Sequence, residues 1–336
     1  MTVATSTSTG TSGRAGIRSA RVARMSYEGN GILSVELADP AGAALGAWAP
    51  GEHIDIELGP GLTRQYSLCG KVDDTSRWTV AVRAAEPSRG GSEYVHRTLR
   101  VGDLVRVGAP RQKFALDSAS EYVFVAGGIG ITPLLPMIET AVANGATAAV
   151  HYAAASADAM VFLDRLGAAG ANLHLYPRVD GARMNLPELL ADSGPQALVY
   201  CCGPQRMLDE ITALVDVDRL RIESFDPEPA PTAPIAPTAP TADAPADAPC
   251  AVQLGEGGPI VEVAATETVL DALERSGADV MWSCKAGTCG SCELPILRGE
   301  VEHRDNILDD DERAESCCFF PCVSRPKGPE ALVVDL

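Results

Sequence analysis

The chain has 336 residues, room for two or three separately packed domains, and its 46 % hydrophobic and 21 % charged residues are a globular balance. A net charge of −18 with no Lys/Arg run argues against nucleic acid as a partner, because a phosphate backbone repels such a surface. The 24 prolines and 32 glycines reserve part of the chain for linker.

Residues 1–16, MTVATSTSTGTSGRAG, hold no apolar run, which excludes a secretory signal and predicts a disordered tail. From 17 to 115 the chain reads as short alternating strands with turns between them: GILSVELAD, GEHIDIEL, RQYSLCG, RWTVAVRAA and GDLVRVGAP. That spacing predicts a small antiparallel β-barrel. Within RQYSL, a period of two puts Arg64, Tyr66 and Leu68 on one face and Ser67 on the other. The stretch offers a cation for a phosphate, an aromatic face and a hydroxyl, although a half-buried strand needs the same alternation. In RGGSEYVH, 26 residues after Arg64, the residues Gly90, Gly91 and Ser92 precede a helical segment. Free N–H groups at a helix start suit a phosphate; a plain turn explains the glycines equally well.

From 116 to 226 the pattern changes to apolar strand, Gly-rich turn and helix, in YVFVAGGIGITPLLPMIETAVANG, AAVHYAA and ALVYCCGPQRMLDEITALV. Such alternation predicts an α/β domain with a parallel, doubly wound sheet. The apolar run over 122–138 is too short and too broken by Gly and Pro to span a bilayer, so a cytoplasmic protein without membrane contact is expected. In that reducing compartment the ten cysteines are not a disulfide framework. Gly127, Gly128 and Gly130 let the backbone approach a pyrophosphate at a helix start that carries Thr132 and Pro133. A tight strand-to-helix turn accounts for the spacing nearly as well. Cys202–Gly203–Pro204 repeats the design at the next crossover.

Residues 226–249 contain eight prolines in 24 positions and cannot build a core. They predict a polyproline-like spacer of up to ~75 Å at ~3.1 Å per residue. Beyond it, Cys284, Cys289 and Cys292 have the C-x4-C-x2-C spacing of plant-type [2Fe–2S] ligands, and Cys322 is the best candidate for the distant fourth. Ala286, Gly287, Thr288, Gly290 and Ser291 are small, so backbone N–H groups can turn toward the sulfurs. Cys317 and Cys318 compete for the fourth place and read better as core. Zinc would more commonly show two C-x2-C pairs or added histidines, and bare thiols are the remaining alternative.

CKAGTCGSC, followed by GEVEHRDNILDDDE, CVSR and a closing LVVDL, closely resembles the C-terminal ferredoxin domain of the phthalate dioxygenase reductase family. The resemblance extends from about Ile17 over nearly the whole chain apart from the tail and the spacer. It implies a multidomain protein: an antiparallel β-barrel FMN domain over 17–115, an α/β NAD-binding domain over 116–226, a linker over 227–249, and an α+β, β-grasp-like ferredoxin domain over 250–336. By the same resemblance Arg64, Gln65, Tyr66, Ser67, Gly90, Gly91 and Ser92 hold FMN in preference to FAD. Arg64 and the glycine loop take the phosphate, Tyr66 packs on the ring, Ser67 lies near N5, and Phe225 covers the flavin. Gly127, Gly128, Gly130, Thr132, Pro133, Ser156, Cys202, Gly203 and Pro204 hold the nicotinamide nucleotide, with Cys202 near its C4. NADH is preferred over NADPH, since no Arg or Lys follows AVHYAA until Arg165; Ala155 stands where similar proteins often carry an arginine. The implied function is electron transfer from NADH to FMN, to the cluster, and on to a Rieske-type mono- or dioxygenase or demethylase. A haem monooxygenase as acceptor and a redox-sensing iron–sulfur protein are the alternatives. A monomer is expected, and the ferredoxin domain, with seven Lys/Arg against 17 Asp/Glu, calls for an acceptor with a basic patch.

Overall fold

The computed structural model describes residues 17–59, 62–86, 88, 90–225, 248–287, 289–308, 312–313, 317–328 and 330–336. The predicted tail over 1–16 and nearly all of the predicted linker over 227–249 lie outside the described residues. The chain falls into two compact units, one within Arg18–Pro237 and one within Thr238–Leu336.

The first unit opens with β1 (Arg18–Gly29), β2 (Ile32–Ala38), β3 (Glu52–Glu57), β4 (Thr63–Ser67), β5 (Arg77–Arg83), α1 (Gly91–Arg97), β6 (Leu104–Val107) and β7 (Arg111–Gln112). The strands run antiparallel in the order β4-β3-β6-β1-β2-β5, with β7 on β3. A bridge from Leu68 to Val80 and a 2.8 Å bond from Cys69 N–H to the Thr79 carbonyl join the end of β4 to β5 and close the ring. Ala20, Val22, Leu37, Ile54, Trp78, Val80 and Val107 fill its interior, fully buried. Alternation produces this: β2 and β3 send every second residue inward, which is the sequence pattern of GILSVELAD and GEHIDIEL.

The same unit continues with β8 (Glu121–Gly127), α2 (Ile131–Ala143), β9 (Thr147–Ala154), α3 (Leu163–Ala169), β10 (Asn172–Pro177), α4 (Leu186–Ala191), β11 (Leu198–Cys202), α5 (Gln205–Thr212) and β12 (Leu220–Glu223). All pairs in its sheet, ordered β10-β9-β8-β11-β12, are parallel. β8 is buried on both faces, which is why VFVAG reads as a continuous apolar run. Phe124, Val150, Leu134 and Ile138 form the core on one face, and Val123, Val125, Leu189, Leu208 and Ile211 that on the other. The order places the Gly-rich end of β8 beside the end of β11, the crevice where doubly wound sheets bind ligands.

The second unit contains β13 (Cys250–Leu254), β14 (Ile260–Val263), α6 (Val269–Ser276), β15 (Leu294–Arg298), β16 (Glu300–Glu302), β17 (Cys318–Phe319), β18 (Arg325–Lys327) and β19 (Leu332–Val334). The sheet runs β14-β13-β19-β15-β17, with β13 and β19 parallel and the other pairs antiparallel. Thr268 caps α6, its Oγ1 accepting from the Asp271 N–H at 3.0 Å. The buried side of α6, Val269, Ala272 and Leu273, packs on Val252, Val263, Phe319 and Val334. The multidomain β-barrel, α/β and α+β architecture is the one expected from the sequence. Among the described residues no helix is long and apolar enough to cross a membrane.

Candidate cofactor sites

β4 pairs with β3 so that Tyr66 stands opposite Ile54, Gln65 opposite Asp55 and Ser67 opposite His53. Opposite residues share a face, so Tyr66 lies half-buried against the barrel core while Ser67 is buried on the other side. Gly90, at the start of α1, has φ +90°, and no side chain caps the helix. A Cβ on Gly91 would sit 2.5 Å from Arg64 Cγ and 3.0 Å from its Nε. The two predicted phosphate elements are therefore in contact, and only glycine leaves the guanidinium room beside the helix start. Ser92 Oγ meets Ser88 Oγ at 3.0 Å and accepts from the Ala85 N–H, holding the loop closed.

The two crossover turns of the sheet press together. A Cβ on Gly127 would lie 2.5 Å from Pro204 Cδ and 3.0 Å from Gly203 Cα, and one on Gly130 would strike the Cys202 carbonyl. Gly128, at φ +57°, faces open space. Thr132 is buried and donates from Oγ1 to the Ile129 carbonyl at 2.9 Å, while Pro133 occupies the first turn of α2. Cys201 and Cys202 are both fully buried, in the cores on opposite faces of the sheet. Burial, with Glu223 and Cys201 adding, holds the Cys202 thiol well above its ordinary range. Ser156 is half-buried just past β9, Arg183 is exposed, and Phe225 is 42 % exposed.

Two groups here went unnoticed in the sequence, and a third, Arg165, was read only as the first cation after AVHYAA. Glu223, at the end of β12, has its Oε2 sealed from solvent without a hydrogen-bond partner among the described residues; burial pushes its carboxyl up to about 8 against the pull of Lys113. His53 is 4 % exposed, neither ring nitrogen has a hydrogen-bond partner among the described residues, and burial, with the charges of Arg111 and Lys113, lowers it to about 4. Arg165 donates to the Cys69 and Gly70 carbonyls at 2.5 and 3.0 Å and to both Glu139 oxygens at 2.8 and 2.6 Å. It ties α3 to the chain that leaves the RQYSL strand. Long sequence separations hid the surroundings of all three.

In the second unit, Cys292 and Cys322 are buried together with Leu270 and Phe320, Cys289 is half-buried and Cys284 is exposed. The thiols pair: a hydrogen bond with Cys284 raises Cys289, while the bond between Cys292 and Cys322 raises the first and lowers the second. N–H groups face the sulfurs, from Ala286 to Cys284 at 3.3 Å, from Ser291 to Cys289 at 3.5 Å, and from Gly287 to Cys322. Among the described residues no three ligating side chains gather on one point. A two-iron cluster requires none, because each iron takes two thiolates and shares two sulfides with the other. Two pairs of sulfurs with inward N–H groups fit that group. Cys318 is half-buried in β17, but Cys317 is exposed, so the expectation that it belongs to the core does not hold: the chain turns it out just before the strand begins.

The profile of the 2Fe-2S iron-sulfur cluster binding domain matches residues 253–327. The phenoxybenzoate dioxygenase subunit beta of Ectopseudomonas oleovorans is 36 % identical over 323 residues, 95 % of this chain and 97 % of that protein. The crystal structure of phthalate dioxygenase reductase, a modular structure for electron transfer from pyridine nucleotides to [2Fe–2S], matches with 31 % identity and a TM-score of 0.64 over 96 % of this chain and 98 % of that one. The chain belongs to the phthalate dioxygenase reductase family. An intact type IV self-sufficient cytochrome P450 monooxygenase is also similar, with 40 % identity and a TM-score of 0.72 over 95 % of this chain and 41 % of that one. Family membership accounts for the order of barrel, α/β sheet and cluster-binding fold along one chain.

Proposed function

We propose that the chain is the reductase component of an oxygenase system, passing electrons from NADH through FMN and a [2Fe–2S] cluster to a Rieske-type mono- or dioxygenase or demethylase. The observation that carries this reading is the burial of Cys292 and Cys322 in one cluster, with N–H groups aimed at Cys284 and Cys289, in the segment that matches the 2Fe-2S domain, following in sequence a barrel and a parallel sheet with glycine turns. Bound flavin supplies the exchange of one hydride for two single electrons. Arg64 and the Gly90–Ser92 loop hold its phosphate, Gln65 and Tyr66 flank its ring, Ser67 donates near N5, and Phe225 covers it. Gly127, Gly128, Gly130, Thr132 and Pro133 hold the pyrophosphate at the start of α2. Cys202, Gly203 and Pro204 back the nicotinamide, and Ser156 meets the adenosine.

NADH is the donor in this reading because Arg165, the first cation after β9, already has its donors on Glu139 and two barrel carbonyls. The acceptor carries a basic patch complementary to the acidic ferredoxin domain. A haem monooxygenase as acceptor is the second reading, favoured by the 40 % identity to the fused P450.

The test is a visible spectrum of the purified protein before and after anaerobic NADH. Flavin bands and a broad iron–sulfur envelope that both bleach, with one FMN and two irons per chain, are the expected result. Protein without iron, or a spectrum unmoved by NADH, overturns the reading. Reduction rates with isolated Rieske and haem acceptors then separate the two partners.

A further inference from the structure

Lys285, directly after ligand Cys284, has φ +54°, a left-handed conformation that a lysine does not adopt without being held there. Its ammonium meets Asp271 Oδ1 at 2.9 Å and Glu274 Oε2 at 2.8 Å, and lies 4.2 Å from the centroid of the Trp282 ring. Trp282, two residues before Cys284, donates from Nε1 to the other Glu274 oxygen, Oε1, at 2.6 Å. One carboxylate on α6 therefore fastens the chain on both sides of a cluster ligand. The next residue, Ala286, directs its N–H at Cys284 Sγ at 3.3 Å. Solvent-exposed ion pairs of this kind add little to overall stability. What distinguishes this one is its place, around the exposed ligand and across a strained residue.

We propose that Glu274 is a positioning residue for the cluster: its carboxylate holds Trp282 and Lys285, keeps Lys285 left-handed, and so fixes Cys284 Sγ and the N–H bond it accepts. This rests on the [2Fe–2S] reading of the four cysteines. The other three ligands need no such clamp, since Cys292 and Cys322 are enclosed in the core and Cys289 is half-buried. The charge of Lys285 has a second consequence. A cation beside a cluster that gains one electron favours the reduced state, and so does an N–H on its sulfur.

Three variants test this, each loaded anaerobically, with bound flavin as the internal concentration standard. Glu274→Ala removes the tie to Trp282 and one of the two carboxylates on Lys285, leaving Asp271, at an exposed helix position where alanine is a good helix former. Its cluster should bleach about fivefold faster under a ferrous chelator, with a broadened electron paramagnetic resonance signal after reduction. Lys285→Gly removes the clamp but adopts the left-handed conformation unaided, so its bleaching rate should stay within about twofold of the parent. Lys285→Met loses the cation and keeps the strain. Its equilibrium for accepting an electron should fall about tenfold, a ~59 mV lower midpoint for a one-electron couple. Bleaching of Glu274→Ala at the parent rate overturns the proposal, and so does a glycine variant as labile as Glu274→Ala or a methionine variant with the parent midpoint. Parent protein that holds no two-iron cluster ends the reading beneath it, a result distinct from loaded variants that behave like the parent.

Discussion

Gly130→Ala tests the nicotinamide site at one atom. Gly130 has φ −60° and ψ −7°, which alanine adopts freely, so the substitution acts through space alone. Its Cβ would strike the Cys202 carbonyl, with the carbonyl carbon at 2.6 Å and Gly203 N at 3.0 Å, where ordinary contacts begin at 3.4 Å. The carbonyl carbon alone must give about 0.8 Å and its oxygen more, and the neighbour is backbone, which cannot swing aside as a side chain does. The end of β11 cannot retreat either, because Cys202 is paired with Ala126 in β8 and with Glu223 in β12. Overpacking of this kind costs about 1–3 kcal/mol. A displacement near 1 Å of a group that positions a reactant costs about 100-fold in rate. Stopped-flow absorbance of the flavin at saturating NADH should therefore show reduction slowed about 100-fold, with FMN content unchanged because the barrel site is untouched. Gly128→Ala is the control: its Cβ would meet nothing within 4 Å, although φ +57° strains it. It should slow the same step far less. Reduction of Gly130→Ala within twofold of the parent would refute the idea that the two turns together seat the nicotinamide.

Cys322→Ser should remove the cluster and abolish cytochrome c reduction while NADH still bleaches the flavin; iron analysis with an anaerobic flavin spectrum checks it. Arg165→Met should lower the unfolding midpoint, since about 1.5–3 kcal/mol goes with each charge-assisted hydrogen bond lost. It should also leave the NADH to NADPH ratio of kcat/KM unchanged, which steady-state kinetics would read. His53 has its folded pKa, about 4, below the model-peptide value of 6.5, so its neutral form contributes stability that is present above pH 6.5 and lost as pH falls toward 4. The loss amounts to about 3 kcal/mol at pH 4, taking ~1.36 kcal/mol per unit. Hydrogen exchange of the β3 amides between pH 7 and 4 should show it, and His53→Asn should remove that part of the slope.

The barrel strands were legible wherever apolar residues alternate with polar ones over several positions, as in β2, β3 and β5. β1 was not, because RSARVARMSYEG sends only Ala20 and Val22 fully inward and carries charges on its outer face, a pattern closer to a loop than a strand. β8, β9 and β11 were legible for the opposite reason, since burial makes them apolar runs between turns, whereas the edge strands β10 and β12, with no fully buried residue, were not. Of the candidate sites, the four cysteines stood out because the ligands of one cluster are confined to a short loop and one distant position, so their spacing survives in the sequence. His53, Glu223 and Arg165 left no such trace. His53 looks like any polar residue in a strand until β7 sets Arg111 opposite it, and Glu223 until β12 is set beside β11.

The same division explains Glu274. Local spacing can show which atoms bind a cluster, because the metal imposes that spacing on the residues that touch it. It cannot show what holds those atoms still, because the restraint comes from a carboxylate ten residues before Cys284, on a helix whose period looks ordinary. An exposed Glu in LERSG reads as a solvated helix face. Only when α6 lies against the cluster loop do its two oxygens reach Trp282 and Lys285 at once, and a residue with no mark in the sequence comes to brace both sides of Cys284.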